Sequence, residues 1–181
     1  LRLISPSSSS SSSWTIRTNQ DTYGEIDIIE SYNDANHNYM TLHTGGQCTF
    51  LPAASFYNLP DCNLVTSPGG CTIQGTSESY GTNFNANGGG VYAMEKTSGW
   101  IRIWFWAQAN VPADVRNGNP DPGAWGVPAA NFDASNGNCD IDANFPEQTV
   151  VCGLFSFHSL SVAWRTSASA LLHSIIGNRR G

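Results

Sequence analysis

Acidic and apolar residues alternate from Gly24 through Glu30, break at Asn33-Asp34-Ala35-Asn36, and resume from Tyr39 to Thr44. Alternation of period two around an Asn-rich turn predicts a pair of strands. Two further runs, Gly90-Val91-Tyr92-Ala93-Met94-Glu95 and Trp100-Ile101-Arg102-Ile103-Trp104-Phe105-Trp106, flank Thr97-Ser98-Gly99 and predict a hairpin. Between these pairs, residues 45–90 are rich in Gly, Asn, Ser and Thr, with turn signals at Asn58-Leu59-Pro60, Pro68-Gly69-Gly70 and Asn87-Gly88-Gly89-Gly90. That composition predicts a long surface loop tied by disulfides. The Pro- and Asn-rich stretch Val111 to Pro128 predicts another loop, with one helical turn at Pro112 to Val115. After Val151 acids vanish and small residues take over, and Ser167 to Ile176 predicts a short helix. The Ser7 to Ser13 run cannot bury apolar surface. Residues 1–13 are therefore expected to be a linker or a non-native segment, 14–151 a domain, and 152–181 an atypical tail.

Composition narrows the class. Few charges, at 12% of 181 residues, with abundant Gly and aromatics favour short strands over long helices and an all-β fold. The net charge of -6 comes from scattered acids, and no Lys/Arg cluster marks a phosphate-binding face, so nucleic acid is excluded as an expected partner. No apolar run approaches the ~20 residues that span a bilayer; Ala168 to Ile176 is short and interrupted by His173 and Ser174. Cys48, Cys62, Cys71, Cys139 and Cys152 show neither a Cys-x-x-Cys pair nor a matched His spacing, which points to disulfides rather than zinc. An odd count leaves one thiol without an internal partner or with a partner outside this sequence. Leu1 to Pro6 lacks the regions of a secretory signal, so any signal is expected upstream.

The acidic strand carries the candidate chemistry. Glu25 and Asp27 share a face by parity, whereas Glu30 falls on the other. One extra residue at Ile28-Ile29, a β-bulge, restores Glu30 to the side of the other two acids. Carboxylates crowded on one face repel, so at least one pKa rises and a proton donor can stand beside an ionised nucleophile. Glycoside hydrolysis needs such a pair. A half-exposed strand with acids facing solvent has the same residue pattern, and the six residues alone favour that plainer reading; the surrounding sequence reverses it.

Glu25-Ile26-Asp27-Ile28-Ile29-Glu30 resembles the bulged acidic motif of family-16 glycoside hydrolases. The likeness continues through Met40-Thr41-Leu42-His43-Thr44; the run Gly81 to Glu95 and Ile103-Trp104-Phe105 resemble the family's fungal laminarinase-like branch, and Pro112-Ala113-Asp114, Trp125-Gly126, Pro128 and Cys139-Asp140-Ile141-Asp142 continue it in order. It covers about residues 14–151. The resemblance implies an antiparallel β-sandwich, a concanavalin-like jelly roll, here lacking strands at both ends. It implies Glu25 as nucleophile, Glu30 as general acid and base, and Asp27 between them tuning their charge. His43 would shape the cleft beside the acids, and Trp14 matches an aromatic cleft position. Gln20 and Lys96 stand where relatives carry aromatics. The implied activity is endo-hydrolysis of β-1,3 or mixed β-1,3/1,4-glucan by a secreted monomer that needs no cofactor. Two other outcomes use the same residues: a non-catalytic or truncated glucan-binding module, and a transglycosylase in which a sugar hydroxyl replaces water.

Other candidates carry bland alternatives. Aromatic faces stack on sugars, so Trp14, Trp100, Trp104, Trp106 and Trp125 are conceivable subsite residues, although Trp in a sandwich is usually core. Parity puts Trp100, Trp104 and Trp106 on one face, and one of them is expected in the cleft. Asn33, Asp34, Asn36 and Asn38 offer oxygens but lack the Gly and terminal Glu of an EF-hand loop, so a turn and no metal are expected. Gly88-Gly89-Gly90 has no following Lys and opens a strand, which excludes a phosphate loop.

Overall fold

The computed structural model describes residues 12–16, 24–32, 35–153, 162–163 and 173–174. Strands β1 (Ser12–Ile16), β2 (Glu25–Glu30), β3 (Tyr39–His43), β5 (Cys71–Gln74) and β10 (Thr149–Gly153) form an antiparallel sheet in the order β10-β1-β2-β3-β5. The acidic strand β2 thus runs through the middle of the sheet. A second sheet holds β6 (Gly90–Lys96), β7 (Trp100–Ala107) and β8 (Ala130–Asp133), with β6 and β7 as the expected hairpin. β4 (Cys48–Thr49) pairs with β9 (Asn138–Cys139), and β11 (Val162–Ala163) with β12 (His173–Ser174).

Alternation explains why the sheets pack face to face. Ile26, Ile28, Met40, Leu42 and Ile73 turn one side of the first sheet inward, where they meet Tyr92, Met94, Ile101, Ile103 and Phe132 of the second. Each such side chain contributes about 1.5–3 kcal/mol on leaving water. The polar parity of β2 and β3 is therefore forced onto the opposite side of the first sheet. The second sheet buries its outer face as well, where Val91, Ala93 and Trp104 meet Val111, Val115 and Trp125 from the loop that covers it. The short helix α2 (Ala113–Arg116) lies within that loop, at the predicted helical turn.

Residues 45–90 are more ordered than their composition predicts. They contain β4, the sheet strand β5 and helix α1 (Gly81–Ala86). β5 is only four residues long between glycine-rich turns, too short for alternation to declare itself, and its pairing is supplied by β3. α1 is built from weak helix formers and buries only Phe84, so tertiary packing rather than propensity makes it helical. Disulfides Cys48–Cys139 and Cys62–Cys71 tie this region, as expected of a tied segment. The helix predicted over Ser167 to Ile176 is not formed at His173–Ser174, which extend as β12; its other residues lie outside the described ones.

The start of β2 is held by the short helix α3 (Ile141–Asn144). Asp140 caps it by accepting from the Ala143 amide at 2.9 Å, Ile141 and Phe145 are buried, and the Gly24 amide donates to the Asn144 carbonyl. A Cβ at Gly24 would lie 2.4 Å from the Phe145 ring, so only glycine allows this close approach.

Candidate active site

The register between β2 and β3 pairs Glu25 with His43 and Asp27 with Thr41, then shifts before pairing Glu30 with Tyr39. Two residues, Ile28 and Ile29, oppose the single Met40, which is the predicted bulge. Both isoleucines stay buried, and Glu25, Asp27 and Glu30 come to one face with His43, Thr41 and Tyr39 beside them. Sequence reasoning missed what holds the bulge. The fully buried Asn38 side chain accepts from the Glu30 amide at 2.8 Å and donates to the Ile28 carbonyl at 2.8 Å, supplying the partners that the disrupted ladder withdraws. Its own amide donates to Ser79 Oγ at 2.9 Å, and that hydroxyl donates to the Thr76 carbonyl. Asn38 appears in the sequence as one of several turn asparagines; only the need of a bulge for a donor and an acceptor marks it out. Of the other turn residues, Asn33 and Asp34 lie outside the described residues; among the described residues no group of three or more His, Cys, Asp and Glu is arranged to hold a metal ion.

The electrostatics follow from the crowding. Asp27 is buried between its neighbours and its Oδ2 lies 3.1 Å from His43 Nε2. Burial pulls His43 toward neutrality, but the hydrogen bond and charge of Asp27, reinforced by Glu25 and Glu30, more than reverse this and hold its pKa above the ordinary 6.5. The surrounding protein displaces enough water from Glu30, although solvent reaches it, to push its pKa above the ordinary 4.5; the Asp27 charge pushes the same way and His43 opposes. The face therefore holds a carboxyl that keeps its proton to higher pH than a free glutamate, two residue pairs from Glu25. Gly70 makes room for the imidazole: at φ +65°, its Cβ would lie 2.5 Å from His43 Nδ1.

The tryptophans of β7 and Trp125 lie elsewhere. Trp104 and Trp106 each meet Trp125 edge-on at 5.1 Å on the outer side of the second sheet, across the core from the acids. Two of the three indole N–H groups are bonded internally: Trp104 Nε1 donates to the Gly126 carbonyl and Trp125 Nε1 to Asp114 Oδ2. Trp100 donates to Glu95 under the Arg102 guanidinium. The expected cleft tryptophan is therefore not found in β7, because its outward parity faces a covering loop. Trp14 opposes Asp27 in the β1–β2 register, and its side chain lies outside the described residues, as does Gln20. Lys96 forms an ion pair with Asp142 at 3.6 Å.

Residues 5–161 match the model of the XgeA-like catalytic domain of glycoside hydrolase family 16. The chain belongs to that family. A probable endo-1,3(4)-β-glucanase of Aspergillus fumigatus is 37% identical over 141 residues, which make up 76% of this chain and 21% of the relative. A probable glycosidase of Schizosaccharomyces pombe is 35% identical over 78% of this chain and 35% of its own length. Among solved structures, laminarinase 16A of Phanerochaete chrysosporium, described with β-glucans in donor and acceptor sites, superposes with a TM-score of 0.71 at 38% identity, over 79% of this chain and 51% of that one. An elongating family-16 β-1,3-glucosyltransferase gives 0.71 at 31% identity, over 93% and 50%. The chain thus spans about a fifth of the length of the Aspergillus relative and about half of these solved chains. The two sheets are those of the family-16 jelly-roll sandwich, and the bulged acidic strand stands at the centre of one of them.

Proposed function

We propose that this family-16 domain cleaves internal β-1,3 or mixed β-1,3/1,4 bonds of β-glucan by a retaining double displacement. The supporting observation is the convergence of Glu25, Asp27 and Glu30 on one face through the bulge, where burial and the Asp27 charge raise the pKa of Glu30 above that of a free glutamate. Glu25 attacks the anomeric carbon as Glu30 gives its proton to the departing glycosidic oxygen; the C–O bond breaks and a glycosyl ester forms on Glu25. Water then attacks the same carbon, passes a proton to the Glu30 carboxylate, and frees Glu25. Asp27, bonded to His43, sets the charge felt by both. The two disulfides fit an extracellular protein.

A second reading, transfer to a sugar hydroxyl, is favoured by the likeness to the elongating glucosyltransferase. It needs the same carboxylates and differs only in the second acceptor. The test is oligosaccharide release from soluble β-1,3-glucan by the purified chain, beside Glu25→Gln and Glu30→Gln versions, with longer-than-substrate products scored as transfer. Release that both substitutions abolish supports the reading. A folded chain that releases and transfers nothing would leave a glucan-binding module as the better account.

A further inference from the structure

One feature of the acid face has no part in the displacement chemistry. Tyr32, Tyr39 and Tyr57 come from three separate segments and meet beside Glu30. Tyr39 is the cross-strand partner of Glu30, so their Cβ atoms stand about 5 Å apart on one face. Tyr32 follows Glu30 by two residues and stacks on Tyr39, with centroids 5.7 Å apart and planes within 13°. Tyr57 meets Tyr39 edge-on at 5.3 Å. Its backbone amide donates to the Thr72 carbonyl of β5, and the neighbouring Asn58 side chain bonds Thr72 and the preceding Gly70, so the backbone that carries the ring is anchored to the sheet edge.

This cluster is open. Tyr32 and Tyr57 are 61% and 60% exposed, whereas Trp104 and Trp125 on the other sheet are covered by the chain's own loop. A single exposed aromatic needs no explanation, but a contiguous group beside a row of carboxylates marks a binding surface. Tyrosine offers a flat apolar ring for the C–H face of a sugar and a hydroxyl for its rim. Direction matters as well. β2 is flanked by β1 on one side and β3 on the other, and the tyrosines extend from Glu30 across β3 toward and past β5. Along β2 the tyrosines begin at Glu30, whose cross-strand partner is Tyr39, and not at Glu25, whose partner is His43, so they adjoin the carboxyl that meets the departing oxygen.

Resting on the glucanase reading above, we propose that Tyr32, Tyr39 and Tyr57 form the platform that binds the glucose units on the leaving-group side of the scissile bond. The platform holds the departing half of the chain during cleavage, and the same surface seats an incoming sugar acceptor during transfer.

The test compares the full chain with Tyr32→Ala, Tyr57→Ala and Tyr57→Trp. Three readouts are taken: turnover of soluble β-1,3-glucan, turnover of an aryl β-laminaribioside whose leaving group carries no sugar, and affinity for laminaritriose by NMR titration. The expected result is a three- to tenfold fall in the ratio of glucan to aryl turnover for each alanine variant, a similar loss of laminaritriose affinity, and recovery with Tyr57→Trp. Parallel loss on both substrates, or unchanged ratios and affinity, would overturn the platform while leaving the glucanase reading intact. Should the wild-type chain turn over neither substrate, the glucanase reading fails instead, and the platform is decided by laminaritriose affinity alone: weaker binding to the alanine variants upholds it, equal binding removes it.

Discussion

The outer face of the first sheet and the outer face of the second are built from the same kinds of residue and end in opposite states. Both combine large aromatics with carboxylates at the alternate positions of central strands. On the second sheet, residues 111–126 fold back, so that Trp104 and Trp125 are buried and their indole N–H groups are bonded to Gly126 and Asp114. On the first, no described segment covers Glu30, Tyr32 and Tyr57, and the bulge turns a third acid outward instead. A strand's parity says which residues leave the core together; whether they become a second core or a site depends on what the rest of the chain lays over them.

The largest expected effect falls on the open face. Glu25→Gln should lower glucan turnover by about a thousandfold or more, the scale seen when a nucleophile is removed, without shifting the thermal midpoint appreciably. Paired kinetics and melting curves check this. The covered face should respond in the converse way. Trp104→Ala should cost about 3–5 kcal/mol of stability in a denaturant titration while turnover per folded molecule is kept. Loss of turnover in the folded variant would break the comparison.

Asn38 connects the two kinds of behaviour, since it is buried yet shapes the open face. Asn38→Ala leaves the Glu30 amide and the Ile28 carbonyl without their partner and should cost about 1–3 kcal/mol. It should also lower kcat in excess of any change in KM, because Glu30 loses its aim. An unchanged kcat in the folded variant would show that the bulge holds without it.

The smallest effects are shifts with pH, and their signs are opposed. The Asp27 charge raises the pKa of Glu30 and the His43 charge lowers it. The alkaline limb of turnover, where Glu30 loses its proton, should therefore move to lower pH in Asp27→Asn and to higher pH in His43→Gln. A stability measurement sharpens the point. The folded pKa of His43 lies above its ordinary value, so its stabilising contribution is full below about pH 6.5 and is lost as pH rises through the folded pKa. The stability gap between wild type and His43→Gln should narrow accordingly on the alkaline side.

Much of this was legible in the chain. Alternation located β2, β3 and the β6–β7 hairpin, and the parity of Glu30 required a bulge at Ile28-Ile29, which the register shift places there. The resemblance of the acidic motif named the family. What stayed hidden was non-local. β5 is four residues that become a strand only beside β3, and Asn38 matters only because a bulge elsewhere needs its amide. The outward tryptophans of β7 look the same in sequence whether a glucan or residues 111–126 cover them. Tyr32, Tyr39 and Tyr57 are unremarkable singly, and their convergence is a product of three segments meeting at one sheet edge.

The most direct test of the account is to trap the covalent intermediate. A laminaribiosyl fluoride with fluorine at the 2-position of the reacting sugar slows the second displacement, and mass spectrometry of the digested chain then locates the label. A mass gain on Glu25 is predicted. A gain on Asp27 or Glu30, or turnover that yields the inverted anomer first with no residue labelled, would contradict it.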